Sequence, residues 1–126
     1  MSTQLTLEDI LAISQDGTFA GRRTTIVDVR GKAEYDAGHI RGAHNLPVQD
    51  LPAALALPPA EFTAKYHFTL PAPSPDTALA VYCMRGTRTM AAAAHLGAYN
   101  DGLLLYLPGW SEISKSPSAA GQIEQA

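Results

Sequence analysis

The chain has 126 residues, 46% of them hydrophobic and 17% charged, with a formal net charge of -3 and a pI near 5.7. That length suits one domain with one core, and an acidic balance without any Lys/Arg run excludes partners recruited by bulk positive charge, nucleic acid and anionic membrane alike. A single cysteine, Cys83, excludes an internal disulfide and any CxxC metal site.

The start "MSTQLTLEDI" has no basic stretch and no long apolar run, so it reads neither as a secretory signal nor as an Arg-rich transit peptide. No apolar segment approaches the roughly 18 residues of a membrane span. The expectation is a soluble intracellular protein, cytoplasmic, with mitochondrial residence left open.

Thr6–Ser14 reads as a helix. Thr6 and Asp9 make a capping-box-like start, and Leu7, Ile10, Leu11 and Ser14 fall at helical spacing. "QDGTFAGRR" is a turn-rich connection. "TTIVDV" (Thr24–Val29) is β-branched and mostly apolar, hence a buried strand. Gly31 opens a segment with a short helical turn over Lys32–Asp36, followed by a short strand "AHNL" closed by Pro47.

Seven of the nine prolines lie between Pro47 and Asp76. Pro58 and Pro59 suit a helix start, because the first helical positions need no N–H partner. Phe62 and Tyr66 then sit one turn apart. The segment as a whole is expected to be an ordered surface excursion rather than a substrate lid. "ALAVY" (Ala78–Tyr82) is a second buried strand. A helix is expected from about Thr87 to Leu96, with Gly97 as its C-cap. "LLLY" (Leu103–Tyr106) is a third buried strand, and "LPGWSEI" turns into a short helix. The domain is expected to span 1–117, with 118–126 as a flexible tail that lacks periodic apolar residues.

Apolar strands alternating with helices predict an α/β fold: a small, mostly parallel sheet of about five strands with helices on both faces. In such sheets ligands bind at the C-terminal edge of the strands. Cys83 falls there, in "VYCMRGTRTM". A free thiol with a pKa of about 8.5 is only slightly ionised at neutral pH. This loop supplies the means to ionise it. Backbone N–H groups and the dipole of the following helix favour an anion. Arg85 and Arg88 add charges that pH does not remove. Gly86 lets the loop curl so that its amides converge. The substrate implied is a small tetrahedral anion or its ester.

Around this loop the sequence resembles the rhodanese (thiosulfate sulfurtransferase) family. Cys83-Met84-Arg85-Gly86-Thr87-Arg88 is similar to its active loop, C-x-x-G-x-R. "VDVRGKAEYDAGHIRGAHNLP" resembles the signature D-V-R…E-[FY]…G-H-I-x-G-A-x-N-[LIV]-P, and "LYLPGWSEI" resembles the Y-x-G-G or Y-P-G-S-W turn facing the loop. "LALPPAEFTAKYHF" further resembles single-domain members that pass sulfur to glutathione. The chain departs from the family at Met84, where arginine is common, at Arg41, where proline is usual, and at Leu107 and Trp110.

The resemblance implies a rhodanese-like domain. It further implies that Cys83 takes the outer sulfur of thiosulfate, releases sulfite and carries a persulfide. With no second cysteine, the acceptor comes from outside: cyanide, glutathione, a reduced thioredoxin or a protein thiol. Substrate contacts are expected from Met84, Arg85, Gly86, Thr87, Arg88, Arg30 and Trp110. Asp28, Glu34 and His39 are expected as structural support; Arg30 could face the anion or pair with Glu34, and a structural salt bridge that pins the loop is the favoured reading. No cofactor and no metal are expected, nor any nucleic-acid or membrane partner. The protein is expected to be a monomer or dimer. Related phosphatases and arsenate reductases carry a longer loop, C-x-x-x-x-x-R, so the six-residue loop here favours sulfur over phosphate. A catalytically idle interaction module is the other alternative. Tyr82 and Met90 read as core or near-core.

Overall fold

The computed structural model describes residues 2–126. In chain order the elements are β1 (Thr3–Gln4), α1 (Leu7–Asp16), β2 (Thr18–Phe19), β3 (Arg22–Asp28), α2 (Lys32–Ala37), β4 (His39–Ile40), β5 (Ala43–Asn45), α3 (Leu51–Leu55), α4 (Pro59–Tyr66), β6 (Thr77–Tyr82), α5 (Thr87–Ala93), β7 (Leu103–Tyr106), α6 (Gly109–Ile113) and β8 (Ile123–Glu124). Short 3₁₀ stretches occupy Val48–Asp50, Gly97–Gly102 and Pro117–Gln122.

The main sheet runs β1-β7-β6-β3-β2, and β5 also pairs with β3. Every pairing in it is parallel except the β2–β3 hairpin. The sheet has six strands rather than about five, because the two-residue pieces β1 and β2 are too short to register as apolar runs. The central strands are buried on both faces, as their unbroken apolar sequences require.

Alternation along each strand sorts the core into two layers. Leu79, Val81, Leu103 and Leu105 face Leu51, Ala54, Phe62 and Leu96. Ala78, Ala80, Tyr82, Leu104 and Tyr106 face Ile10, Ile13 and Ile113. Continuing the same alternation puts Cys83 on the first layer, at the upper end of β6.

Several expectations are corrected. The proline-rich segment is more than a surface excursion. Leu51, Ala54, Phe62 and Phe68 form one wall of the core, so the prolines bound two short helices that close a face of the sheet. Gly97 does not cap α5, which ends at Ala93 and runs through right-handed Ala94 into a 3₁₀ stretch. Met90 is 54% exposed, whereas Tyr82 is fully buried. Residues 118–126 do not hang free. Ala119 and Gln122 are buried, β8 pairs antiparallel with β4, and Gln122 Nε2 donates to the Leu11 carbonyl. The partner strand is only His39–Ile40, and a two-residue pairing leaves no periodic pattern in the sequence.

Candidate active site

Strand β6 stops at Tyr82, whose carbonyl accepts from Val29 N at 2.9 Å, and the chain then curls through Cys83–Gly86 into α5. Cys83 is the free cysteine and is 1% exposed. Gly86 N donates to Cys83 Sγ at 3.0 Å. Gly86 has a left-handed backbone, φ 102°, which turns that amide inward, and a Cβ there would stand 2.9 Å from the Leu107 carbonyl oxygen, so glycine alone fits.

Burial pushes the Cys83 thiol up. The Thr89 hydroxyl and the amides of Thr89, Gly86 and Arg85 pull it down by more, so the thiol ends below its ordinary value.

The turn after β7 holds the loop from outside. Trp110 N donates to Cys83 O at 2.8 Å and Ser111 N to Met84 O at 3.0 Å. Gly109 makes this contact possible. It has φ 64°, and a Cβ on it would collide with the carbonyl oxygens of Cys83 and Met84.

The two loop arginines differ. Arg88 Nη1 and Nη2 grip Glu34 Oε1 and Oε2 at 2.6 and 3.1 Å, a bidentate pair joining α2 to α5. The Arg88 hydrogen bond holds the Glu34 carboxyl below its ordinary pKa despite partial burial. Both side chains are about a third exposed, so the pair is worth no more than about 1 kcal/mol after screening. Arg85 is exposed and, among the described residues, has no side-chain hydrogen bond or ion pair. Of the two loop arginines it is the one whose charge is unpaired. Met84 is half-buried and Thr87 exposed.

Of the readings open to Arg30, the structure supports the structural salt bridge, made to Asp28, and corrects the substrate contact. Arg30 is 1% exposed, its Nε and Nη2 reach both Asp28 oxygens, and Nη2 also donates to the Gly38 carbonyl at 2.7 Å. The guanidinium lies 5.8 Å from the Tyr82 ring centroid and 4.9 Å from that of Trp110. Trp110 is thereby placed over Arg30 rather than free at the mouth. Glu34 is not the partner of Arg30, since its carboxylate is taken by Arg88. Asp28 Oδ1 also accepts from Arg30 N at 2.9 Å. His39 is buried, with Nδ1 2.8 Å from the Tyr35 carbonyl and its ring stacked on Tyr35.

Sequence reasoning passed over Thr89. It is 0% exposed, and its hydroxyl has no hydrogen-bond partner at good geometry in the resting protein. It nonetheless draws the thiol down, from the buried face of α5 whose Ala92 packs into the same cluster as Cys83. Thr89, Ala92 and Leu96 fall at i, i+3 and i+7, a stripe in which Thr89 is the polar member. That stripe was the available signal. Among the described residues no three His, Cys, Asp or Glu side chains converge as metal ligands. No helix among them is long and apolar enough to cross a membrane.

A parallel sheet with a cysteine loop at its C-terminal edge, clamped by the turn after the next strand, defines a class of small α/β domain. The chain belongs to the rhodanese-like domain family, whose profile matches residues 6–116. It is 40% identical over 73 residues to the human thiosulfate:glutathione sulfurtransferase, covering 58% of this chain and 63% of that protein. A Schizosaccharomyces pombe protein with a provisional name as a mitochondrial thiosulfate sulfurtransferase is 33% identical over 96 residues, covering 74% of this chain and 65% of that protein. The matched stretches thus span less than two thirds of both curated relatives. The structure of the human single-domain sulfurtransferase TSTD1 superposes with a TM-score of 0.76 at 30% identity, covering 90% of this chain and 96% of that one. The Saccharomyces cerevisiae single-domain sulfurtransferase RDL2 shares the fold, with a TM-score of 0.73.

Proposed function

We propose that the protein is a thiosulfate sulfurtransferase that carries sulfur on Cys83. The observation that supports this most directly is the Cys83 thiol, held below its ordinary pKa by the Thr89 hydroxyl and the loop amides, in a loop that also carries the exposed, unpaired Arg85. An interaction module without chemistry has no use for such a thiol. The Cys83 thiolate attacks the outer sulfur of thiosulfate, the S–S bond breaks, and sulfite leaves with the electron pair. One negative charge enters on the thiolate and one remains on the terminal sulfur of the persulfide, so charge balances. Arg85 draws in the dianion and stabilises sulfite as it forms. The loop amides hold the persulfide.

An acceptor thiolate, or cyanide, then attacks the terminal sulfur and the Cys83 thiolate is released. The name of the human relative favours glutathione as acceptor. We place the protein in the cytoplasm, or in mitochondria like the relative of that name, as a monomer or dimer.

The test is an intact-mass spectrum of the purified protein with thiosulfate, then with cyanide. One added sulfur atom that cyanide removes, and that Cys83→Ser never acquires, is the expected result. No added sulfur at any thiosulfate concentration would overturn the assignment.

A further inference from the structure

Among the described residues the Thr89 hydroxyl is the one buried side-chain polar group without a hydrogen-bond partner. It is 0% exposed on the buried face of α5, the face whose Ala92 packs into the cluster that holds Cys83, and it draws the Cys83 thiol down. A buried hydroxyl left unpaired is costly, and exceptions in folded proteins call for an explanation. We infer that the Thr89 hydroxyl turns to donate a hydrogen bond to the Cys83 Sγ anion, and that it thereby sets how readily Cys83 departs from its persulfide. The inference rests on the sulfur-transfer reading for its second clause only.

The chemistry separates the two half-reactions. In the free enzyme Sγ carries the negative charge, so the hydroxyl has an anion to bond. In the persulfide the charge moves to the terminal sulfur, and Sγ becomes a neutral bridge with little to offer a donor. When an acceptor takes the terminal sulfur, charge returns to Sγ and the bond to Thr89 forms again. The hydroxyl therefore stabilises Cys83 as nucleophile in the ground state of loading, and as leaving group in the transition state of discharge. Lower thiol pKa means a weaker nucleophile but a better leaving group. A residue that merely packs would not push the two steps in opposite directions.

The variants are Thr89→Val, which keeps the shape and removes the hydroxyl, and Thr89→Ser, which restores it. Because the chain has one cysteine, its ionisation is read directly by ultraviolet thiolate absorbance, with Cys83→Ser protein as blank. Hydrogen bonds to charged groups imply a rise of about one to two pH units in the Thr89→Val thiol. Single-turnover loading from thiosulfate, measured above both thiol pKa values, should be unchanged or up to a few-fold faster. Discharge of the loaded protein to cyanide should slow about three- to ten-fold, taking a leaving-group sensitivity of about one half. Thr89→Ser should return both values toward wild type.

An unchanged thiol titration in Thr89→Val would overturn the hydrogen bond. Equal slowing of both half-reactions would overturn the leaving-group role. Should Thr89→Val fail to fold, Thr89→Ala carries the same expectations. Should the wild type accept no sulfur, the sulfur-transfer reading fails, while the titration still decides the hydrogen bond.

Discussion

Gly109 is the point at which the turn after β7 presses on the catalytic loop, and Gly109→Ala should damage stability and chemistry together. A left-handed backbone costs an alanine about 1–2 kcal/mol. The new Cβ also meets the carbonyl oxygens of Cys83 and Met84, which are main chain and cannot rotate away. Relief requires the turn to back off, loosening the hydrogen bonds from Trp110 N and Ser111 N, worth about 0.5–1.5 kcal/mol each. The sum is about 2–5 kcal/mol. At about 4 °C per kcal/mol for a domain of this size, Tm should fall by roughly 8–20 °C. Gly21→Ala is the control. Gly21 has φ 79° and nothing within 4 Å of the added Cβ, so it carries the backbone cost alone, about 4–8 °C. Displacement of the loop should also cut kcat/KM for thiosulfate about 100-fold at a temperature where the protein stays folded, whereas Gly21→Ala should leave it intact. Scanning calorimetry and a sulfite-release assay on both variants decide the matter. If Gly109→Ala melts with Gly21→Ala and transfers sulfur at the wild-type rate, the clamp is not what positions Cys83.

Arg85→Ala should raise KM for thiosulfate at least ten-fold with Tm unchanged within about 1 °C, because an exposed unpaired arginine contributes to anion capture and not to packing; an unaltered kcat/KM would move the anion contact to Arg88. Arg30→Met should lose about 3–5 kcal/mol in urea unfolding, since it strands the fully buried Asp28 carboxylate; full stability with lost activity would instead mean that Arg30 serves the substrate. The depressed thiol pKa links stability to pH. The folded state favours the thiolate, so wild type should gain stability over Cys83→Ser as pH rises from the lowered folded value to the unfolded value of about 8.5, and lose that advantage as pH falls through the folded value. A stability difference flat across that range, measured by urea unfolding, would contradict the thiolate assignment.

Much of the site was readable in one dimension because its parts are local. The buried strands announce themselves as apolar runs, and Leu103–Tyr106 falls where "LLLY" placed it. The α1 start was legible because its capping box needs only residues three apart. The C-x-x-G-x-R loop carries its own chemistry within six residues, and Gly86 was identifiable as the residue that lets the amides converge. Other features were not legible because charge has no address in a sequence. Both loop arginines read alike until Glu34, 54 residues upstream, is seen to occupy Arg88 and leave Arg85 free. A structural salt bridge was the favoured reading for Arg30, but its partner was not legible: folding turns it inward onto Asp28, two residues away, and beneath Trp110, and not onto Glu34.

The sequence by itself determined the class of fold, the lone cysteine and the position of its loop at the strand ends, since hydrophobic period, turn chemistry and motif spacing are properties of neighbouring residues. Only the tertiary structure decided which arginine is left unpaired, which hydroxyl is buried without a partner, and that the C-terminal residues close against α1 and β4. Each of those depends on groups brought together from distant parts of the chain, where burial and pairing, not spacing, set what a side chain can do.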